Sequence, residues 1–191
     1  MLEDEQAIHR VLSGDREAFR SLVTRHQSAV CATIRALSPR GVDWEDVAQD
    51  VFLAAFQHLA TFDSRKGIFR TWLLAIARNQ CRNAGRRLVP VSAAMIRERV
   101  DSRTPDVTVA EAEWFERLDA SLAALPEEQR LMFVLVELQG VSYQEAADIA
   151  DVSVGTVKSR LFRAKAWLRE ILGPMAPESN RSVAAPTHQN L

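Results

Sequence analysis

Apolar residues recur at intervals of three and four positions along most of the first 87 residues of the chain. This periodicity predicts four helices, each with one apolar face. Their expected bounds are 3–12, 15–37, 43–59 and 69–87, and the breaks between them contain Gly, Pro or Ser. No alternation of period two is long enough to predict a strand. The first half is therefore expected to be all helix.

The helical pattern resumes in the second half of the chain. One helix is expected over 110–125. A strongly apolar helix follows over 126–138, with Pro126 at its first position and acids directly behind it, which is a favourable helix start. It ends before Gly140, and two more helices are expected within 142–172. The predicted fold class is all-α.

Serine residues mark the starts of the last two predicted helices. Ser142 precedes a helix over 143–150, and Ser153 precedes one that runs to about Leu172, because a serine oxygen accepts hydrogen bonds from the free N–H groups of a first turn. Asp151 occupies the turn, where many such motifs have Gly, and Asp tolerates the left-handed conformation better than most residues. Small or apolar residues are expected where the two helices meet: Ala147, Ile149, Val152, Val157 and Leu161. This spacing predicts a helix-turn-helix.

The composition is that of an ordinary soluble protein, since 47% of the 191 residues are hydrophobic and 26% are charged. This length suits one domain or two small ones. The longest wholly apolar run, 131–136, is far too short to span a bilayer, and residues 1–20 hold too many charges for a secretory signal. We therefore expect a cytoplasmic protein without direct membrane insertion.

The formal net charge of −1 conceals a strongly uneven distribution. Residues 43–63 contain five acids and no Lys or Arg, whereas residues 64–90 contain seven Lys or Arg and no acid. Residues 153–169, which make up most of the last predicted helix, have five cations and no acid. Abrupt changes of sign indicate separate surfaces for separate partners. Two basic surfaces are therefore expected, and a DNA-binding helix needs such a surface.

Two segments lack a sustained helical pattern and divide the chain. Residues 89–109 include Pro90 and Pro105 among mixed charges, which favours a flexible linker. Residues 173–191 combine several prolines with polar and small residues, which favours disorder. We therefore expect two small helical domains, 1–88 and 110–172, of which the second contains the helix-turn-helix.

Three blocks in this order resemble the bacterial RNA polymerase sigma factors of the extracytoplasmic-function type, group 4 of the sigma-70 family. The likeness covers nearly all of residues 5–172. Block 43–63 resembles the polymerase-binding helix, block 69–87 the helix that recognises and opens the −10 promoter element, and block 125–168 the −35-binding domain. A lone helix-turn-helix is shared by many regulators, but the three blocks together are specific.

The resemblance implies that the acidic helix docks on a coiled coil of the largest catalytic subunit of core RNA polymerase. Asp46, Gln49 and Asp50 match the positions involved, and their spacing places them within about one turn, on one exposed face. From the residues alone, a solvated acidic face without a partner is the competing interpretation.

The resemblance assigns the basic helix to the −10 element. Arginines that recur every four residues form a stripe that a phosphate backbone can follow, two asparagines beside it can bond base edges, and the loop before the helix is expected near a captured base. Trp72 either stacks on an open base or packs in the core. The predicted −10 residues are Lys66, Gly67, Trp72, Arg78, Asn79, Arg82, Asn83 and Arg86.

In the −35 domain, Arg160 and Arg163 are the expected base-edge contacts, with Lys158 and Ser159 close behind. Phosphate contacts are expected through a helix N-terminus, hydroxyl groups and charge. The residues predicted for that role are Ser153, Thr156 and Lys165. Packing is expected for the apolar residues of this helix, namely Leu161, Phe162 and Trp167.

No catalytic, metal or cofactor site is expected. The four histidines are scattered without metal-ligand spacing, there is no phosphate-binding glycine loop, and Cys31 and Cys81 fit buried helical positions. Two other functions compete with an initiation factor. One is a repressor or activator that uses the helix-turn-helix alone, and the other is a polymerase adaptor without promoter function. The resemblance implies core RNA polymerase, promoter DNA and an anti-sigma factor as partners.

Overall fold

A computed structural model of the chain describes residues 2–39, 41–87 and 109–173. Almost all of the predicted linker 89–109 and tail 173–191 lies outside these residues. The described part of the chain folds into α-helices with short helical turns, so the all-α class is confirmed. The helices are α1 (Leu2–Leu12), α2 (Phe19–Leu37), α3 (Trp44–Gln57), α4 (Phe69–Arg87), α5 (Val109–Ala124), α6 (Glu127–Phe133), α7 (Tyr143–Ala150) and α8 (Val154–Leu172).

Helices α1 to α4 follow the predicted bounds closely. A 3₁₀ turn, Arg16–Ala18, precedes α2, and a second one, Leu59–Thr61, follows α3. The carboxylate of Asp43 accepts a hydrogen bond from the Glu45 N–H at 2.9 Å, which satisfies a free donor at the start of α3. Helix α4 has the predicted bounds.

The core of the first four helices lies among α2, α3 and α4. Each helix contributes fully buried aliphatic side chains at helical spacing, and burying one such side chain stabilises a fold by about 1.5–3 kcal/mol. The largest are Leu22, Val30, Ile34, Val51, Leu73 and Leu74. Around this core, the buried His26 lies 3.1 Å from a carboxylate oxygen of Asp4, which ties α1 to α2.

The predicted helix over 126–138 differs from the structure in two ways. Pro126 is the N-cap of α6, with ψ at 137°, so it precedes the first helical residue. Residues Val134–Leu138 form a wider π-helical turn, in which the Gln139 N–H donates to the Val134 carbonyl at 2.9 Å. Five consecutive apolar residues over 131–135 are all buried, so this segment is enclosed on every side. The buried run ends within the wider turn, whose last residue, Leu138, is 42% exposed.

The helix-turn-helix is confirmed in detail as α7 and α8. Ser142 and Glu145 form a reciprocal capping box on α7, and the Ser153 oxygen accepts from the Thr156 N–H at 3.2 Å. Asp151 ends α7 in the left-handed conformation, with φ 55° and ψ 53°. Ala147 is 2% exposed at the contact between the two helices. The turn therefore forms with Asp in the place where Gly is usual.

The two halves of the described chain pack against each other. Helix α4 contacts α7, and α2 contacts α5, α6 and the π-helical turn. The buried residues of both halves belong to one continuous apolar cluster. The basic helix α4 therefore lies between the core of its own half and the helix-turn-helix. None of the helices in the described part of the chain is long and apolar enough to cross a membrane.

Candidate nucleic-acid interface

Helix α8 has one buried and one exposed face. Apolar residues at every third or fourth position pack inward. The buried positions are Val157, Leu161, Ala164, Leu168 and Leu172. The opposite face combines Lys158, Ser159, Phe162 and Arg163, all of them exposed. This exposed face offers two cations, a hydroxyl group and an aromatic ring on adjacent turns. Such a set matches the donors and apolar groups that contact base edges in a major groove.

The expectation that Phe162 packs in the core is wrong, because 74% of this residue is exposed. Leu161 is 3% exposed and does pack, and Trp167 is half-buried against the core. The spacing predicts the exposure of Phe162, because it lies three and four positions after Ser159 and Lys158, on the outer face of the helix. Its apolar character alone suggested the core.

Arg160 and Lys165 lie on the flank of α8 that faces α6 and the π-helical turn. The Arg160 guanidinium contacts the Glu128 carboxylate, and the Lys165 ammonium lies 3.0 Å from a carboxylate oxygen of Glu137. Their side chains are 20% and 26% exposed. The structure thus places two predicted DNA contacts against acidic partners, in a position less open than that of Arg163.

The first turn of α8 is tightly bonded. The Ser153 hydroxyl lies 2.9 Å from the Thr156 hydroxyl, and the Ser159 hydroxyl donates to the Thr156 carbonyl at 3.0 Å. The Lys158 ammonium lies 5.9 Å from the centre of the Tyr143 ring, within the range of a cation–π contact. These contacts fix the position of the helix N-terminus, where the dipole favours an anion.

Helix α4 carries a second basic surface. Four of the predicted −10 residues are exposed at helical spacing, on one face: Asn79, Arg82, Asn83 and Arg86. Arg78 is half-buried and does not extend this stripe. Its guanidinium donates instead to the carbonyl of Ile149, the second-last residue of α7, at 3.1 Å. Of the six predicted −10 residues on α4, the structure therefore brings these four together and places Arg78 against the helix-turn-helix.

The loop before α4 is held by a local ion pair. The Arg65 guanidinium donates to both carboxylate oxygens of Asp63, at 2.9 and 2.8 Å, and this hydrogen bonding lowers the pKa of Asp63. Lys66 is exposed and Gly67 is partly exposed. Trp72 is half-buried, 5.6 Å from the ring of Phe62. The position of Trp72 is compatible with packing and with stacking on an open base, because the ring packs on one side and remains partly accessible.

Helix α3 presents the acidic surface. Asp46, Gln49 and Asp50 are exposed, and they share their face with Leu53, which is 55% exposed. The opposite face of α3 is buried. Leu53 was not among the predicted site residues, although it lies three and four positions after Asp50 and Gln49, on the same face. A protein partner on this face would find an apolar contact among the charges.

In the part of the chain that the structure describes, no group of three His, Cys, Asp or Glu residues is placed to hold a metal ion. Burial raises the pKa of the Cys81 thiol, and of the less buried Cys31 thiol, so both favour the protonated form. A protonated thiol is a poor nucleophile. The described cysteines are thus arranged as packing residues.

Two family models match the chain, Sigma-70 region 2 over residues 22–89 and Sigma-70 region 4 over residues 115–168. Over 188 residues, the chain is 35% identical to the ECF RNA polymerase sigma-E factor of Escherichia coli strain K12, an alignment that covers 91% of this chain and 96% of the relative. The corresponding factor of Haemophilus influenzae is 32% identical, with 91% and 97% covered.

The solved structures that are similar to this chain include the following two. CnrH, in complex with the cytosolic domain of CnrY, superposes with a TM-score of 0.69 and 30% identity, over 91% of this chain and 99% of that one. The sigma factor RpoE of Bartonella quintana, in complex with the anti-sigma factor NepR, gives 0.63 and 27%, over 81% and 96%. The chain belongs to the extracytoplasmic-function family of RNA polymerase sigma factors.

Membership of this family establishes the function of the chain. It is a transcription initiation factor that binds core RNA polymerase and directs it to specific promoters through their −10 and −35 elements. Sigma factors are not enzymes. A repressor that uses only the helix-turn-helix is not favoured, because the region 2 match covers most of the first half of the chain.

Proposed function

We propose that three exposed surfaces on different helices divide the work of promoter initiation. The observation that carries this proposal is their separation by charge: the acidic face of α3, the basic face of α4 and the basic face of α8. In domain terms, residues 1–88 bind the polymerase and capture the −10 strand, and residues 110–172 bind the −35 duplex. Residues 89–109 connect them, and residues 173–191 form a tail.

The polymerase contact is assigned to Asp46, Gln49, Asp50 and Leu53. The exposure of the three polar residues supports this role, and Leu53 supplies the apolar contact that a protein interface needs at its centre. A face that served solubility alone would gain nothing from an exposed leucine, although single exposed apolar residues do occur on protein surfaces. The partner is the coiled coil of the largest catalytic subunit.

The −10 contact is assigned to the basic face of α4 and the loop before it. Arg82 and Arg86 bind phosphates, Asn79 and Asn83 bond exposed base edges, and Lys66 and Gly67 lie beside the captured strand. Trp72 and Arg78 are the remaining two residues assigned to the −10 contact. Exposure of the α4 face supports strand capture and argues against an adaptor that lacks promoter function.

The free energies of strand separation and base stacking indicate that this surface needs the polymerase in order to open DNA. Separating about ten base pairs costs on the order of 14 kcal/mol, at roughly 1.4 kcal/mol per step. Stacking of two captured bases returns about 2–6 kcal/mol. Phosphate contacts do not close the gap, since closed duplex offers them too. Strand capture by this chain therefore takes place within the complete polymerase, which helps to separate the duplex.

The −35 contact is assigned to the exposed face of α8. Lys158, Ser159 and Arg163 approach base edges, and Phe162 adds an apolar contact. Arg160 joins them once its bond to Glu128 is exchanged for one to DNA. Phosphates are held at the helix N-terminus and beside it by Ser153, Thr156 and Lys165.

An anti-sigma factor is the third proposed partner. The Bartonella quintana factor was solved in complex with the anti-sigma factor NepR, which supports a comparable inhibitor for this chain. The chain acts in the cytoplasm, where its polymerase and promoters are, and it performs no chemical step itself.

Three single variants test this division of work, with purified core polymerase and a mapped promoter. Asp50→Lys weakens polymerase binding, Arg82→Glu reduces permanganate reactivity of the opened −10 strand, and Arg163→Ala weakens protection of the −35 duplex. With the chain in large excess, so that polymerase binding is saturated, each variant keeps the other two activities near wild type. Loss of all three activities in every folded variant would contradict separate surfaces, as would strand opening by the free chain.

A further inference from the structure

A cleft of about 410 Å³ lies beside α4 and α6. Its charges are unbalanced, because Glu127 is its acidic residue and four arginines line it. The arginines are Arg78, Arg82, Arg86 and Arg130. The lining also includes apolar side chains, namely Leu37, Pro39 and Leu131. Cavities of this size accommodate small organic ligands. The cleft therefore combines an excess of positive charge with an apolar surface.

Three of the four arginines have no acidic partner. Arg78 is engaged elsewhere, since it donates to the Ile149 carbonyl. The other three are Arg82, Arg86 and Arg130. In residues 2–39, 41–87 and 109–173, no carboxylate oxygen lies within 4.0 Å of their guanidinium nitrogens. Arg82 and Arg86 are exposed at the mouth of the cleft, whereas Arg130 is half-buried. The cleft thus holds positive charge that the described chain does not neutralise.

The half-buried guanidinium of Arg130 is also incompletely hydrogen-bonded. Its Nη1 donates to the Ala123 carbonyl at 3.5 Å, which is a long bond, and its buried Nε has no partner among the described residues. Burial lowers the pKa of this guanidinium, because its charge is poorly solvated. A charge in such surroundings gains more from a bound anion than an exposed charge does, because water and salt screen it less.

The spacing of the arginines selects an anion that carries several linked charges. Arg82 and Arg86 lie one turn apart, about 6 Å along the axis of α4, and Arg130 belongs to a different helix. Each guanidinium can fork onto two oxygens of a phosphate group. A short chain of linked phosphates can reach all three arginines, whereas a single phosphate or carboxylate has too few oxygens to do so. The apolar side chains of the cleft can contact a sugar or base attached to that chain.

We propose that this cleft binds linked phosphates, carried by a nucleoside triphosphate or by inorganic polyphosphate, and that the bound ligand competes with the −10 strand for Arg82 and Arg86. The competition, though not the binding, rests on the function assigned to α4 above. By mass action, a rising concentration of the ligand lowers the apparent affinity of the chain for −10 DNA. Arg130 is not among the residues assigned to DNA, so it serves the phosphate ligand alone.

Arg130 and Glu127 allow the cleft to be altered without touching any residue assigned to DNA or polymerase. Arg130→Gln removes the half-buried cation, whereas Glu127→Gln removes the acid that opposes an anionic ligand. Arg20→Gln is the matched control, since Arg20 is an exposed arginine of α2 that pairs with Glu17 at the surface. Thermal unfolding, followed by circular dichroism, verifies that each variant is folded.

The test uses the full chain without polymerase and without divalent cations. Isothermal titration calorimetry measures the binding of inorganic triphosphate, ATP and inorganic phosphate, at an ionic strength held constant with sodium sulfate. Fluorescence anisotropy then follows the displacement of a labelled single-stranded −10 oligonucleotide by inorganic triphosphate. The oligonucleotide sequence is taken from mapped transcription starts.

We expect wild type to bind triphosphate much more tightly than phosphate. Arg130→Gln should weaken triphosphate binding about tenfold, because a charge-assisted hydrogen bond is lost. Glu127→Gln should strengthen it about threefold, and Arg20→Gln should match wild type. Displacement of the oligonucleotide from Arg130→Gln should need about tenfold more triphosphate, although this variant binds the oligonucleotide as wild type does. Tighter binding of ATP than of triphosphate identifies a nucleotide as the ligand, and equal binding identifies the phosphate chain itself.

Equal affinities for phosphate and triphosphate would overturn the proposal, since general attraction of anions would then explain the binding. Unchanged triphosphate affinity in both Arg130→Gln and Glu127→Gln would also overturn it, as would triphosphate binding that leaves the oligonucleotide in place. Failure of the proposed function is distinguishable. No variant would then bind the oligonucleotide, although triphosphate binding in the calorimeter would still weaken in Arg130→Gln.

Discussion

The guanidinium of Arg160, on α8, contacts the carboxylate of Glu128, on the first turn of α6. This contact holds a proposed base-reading arginine on the flank of its helix, whereas Arg163 is exposed on the outer face. The Glu128 side chain is 68% exposed, so the pair is close to solvent, and exchanging it for a DNA contact costs little. Glu128 therefore competes with DNA for Arg160.

Removing Arg160 and removing the charge of Glu128 should have opposite effects on the affinity for −35 DNA. Arg160→Ala is expected to weaken −35 duplex binding by about 1–3 kcal/mol if the guanidinium forks onto a guanine. Glu128→Gln frees Arg160 and strengthens binding. Electrophoretic mobility shifts with matched and mutated −35 duplexes measure both changes. An equal small loss on all sequences for Arg160→Ala would reassign the residue to phosphate contact.

Phe162 is expected to contact a thymine methyl group in the −35 element, because it is an exposed aromatic ring among base-reading side chains. Replacing the contacted thymine by deoxyuridine should weaken wild-type binding about fourfold, the equivalent of roughly 0.8 kcal/mol for one buried methyl group. The Phe162→Ala variant should be insensitive to that replacement and as stable as wild type, since 74% of Phe162 is exposed. Equal sensitivity of both proteins at every thymine would refute the contact.

Leu53 is expected to be buried against core polymerase. Leu53→Ala should lower the affinity for core polymerase by about 1–2 kcal/mol, because burial of a leucine side chain contributes about 1.5–3 kcal/mol. Leu12→Ala is a matched control, since both leucines are 55% exposed in the free chain. Both variants should keep the wild-type free energy of unfolding within about 0.5 kcal/mol. Identical polymerase affinities in a fluorescence titration would exclude Leu53 from the interface.

Asp151 and Gly140 offer a paired test of backbone strain. Both residues have positive φ, 55° and 64° respectively, and a Cβ on Gly140 would meet no atom within 4 Å. Asp151→Gly should therefore raise the free energy of unfolding by up to about 1 kcal/mol, and Gly140→Ala should lower it by about 1 kcal/mol. Urea denaturation measures both. A loss of stability in Asp151→Gly would indicate that the aspartate side chain stabilises the turn.

Glu145 should make the packing of α7 sensitive to acid. Burial, the largest single influence, raises its pKa, but hydrogen bonds from Ser142 and Thr71 and the charge of Arg70 together lower it below the ordinary 4.5. A carboxyl whose pKa is lower in the folded than in the unfolded chain contributes stability above its ordinary pKa and loses that contribution as the pH falls through the folded value. Thermal unfolding between pH 7 and pH 3 should therefore show a shallower acid decline for Glu145→Gln. Parallel curves for the two proteins would contradict this role.

Several features of the fold were predictable because their causes are local. The bounds of α4 and the Ser142 and Ser153 caps follow from residues within a few positions of each helix end. The turn at Asp151 follows from the same signals. The exposure of Leu53 on α3 and of Phe162 on α8 was also predictable, since both lie at helical spacing from residues predicted to be exposed.

The remaining features depend on partners that are distant in the sequence. Arg78 was predicted in a stripe with Arg82 and Arg86, and that spacing cannot show that Ile149 lies beside it, 71 positions later. In the same way, the spacing of α8 places Arg160 on a flank but does not identify Glu128 as its neighbour. The π-helical turn after α6 is defined by the bond from the Gln139 N–H to the Val134 carbonyl, which a continuous apolar run does not indicate.

Run-off transcription on random promoter fragments, with core polymerase in the presence and absence of this chain, is the decisive test of promoter-directed initiation. Specific start sites should appear when the chain is added, and shared −10 and −35 sequences can be read from them. Asp50→Lys should abolish those starts at limiting concentrations of the chain. Duplex binding by the chain without any new start sites would contradict an initiation factor and favour a repressor.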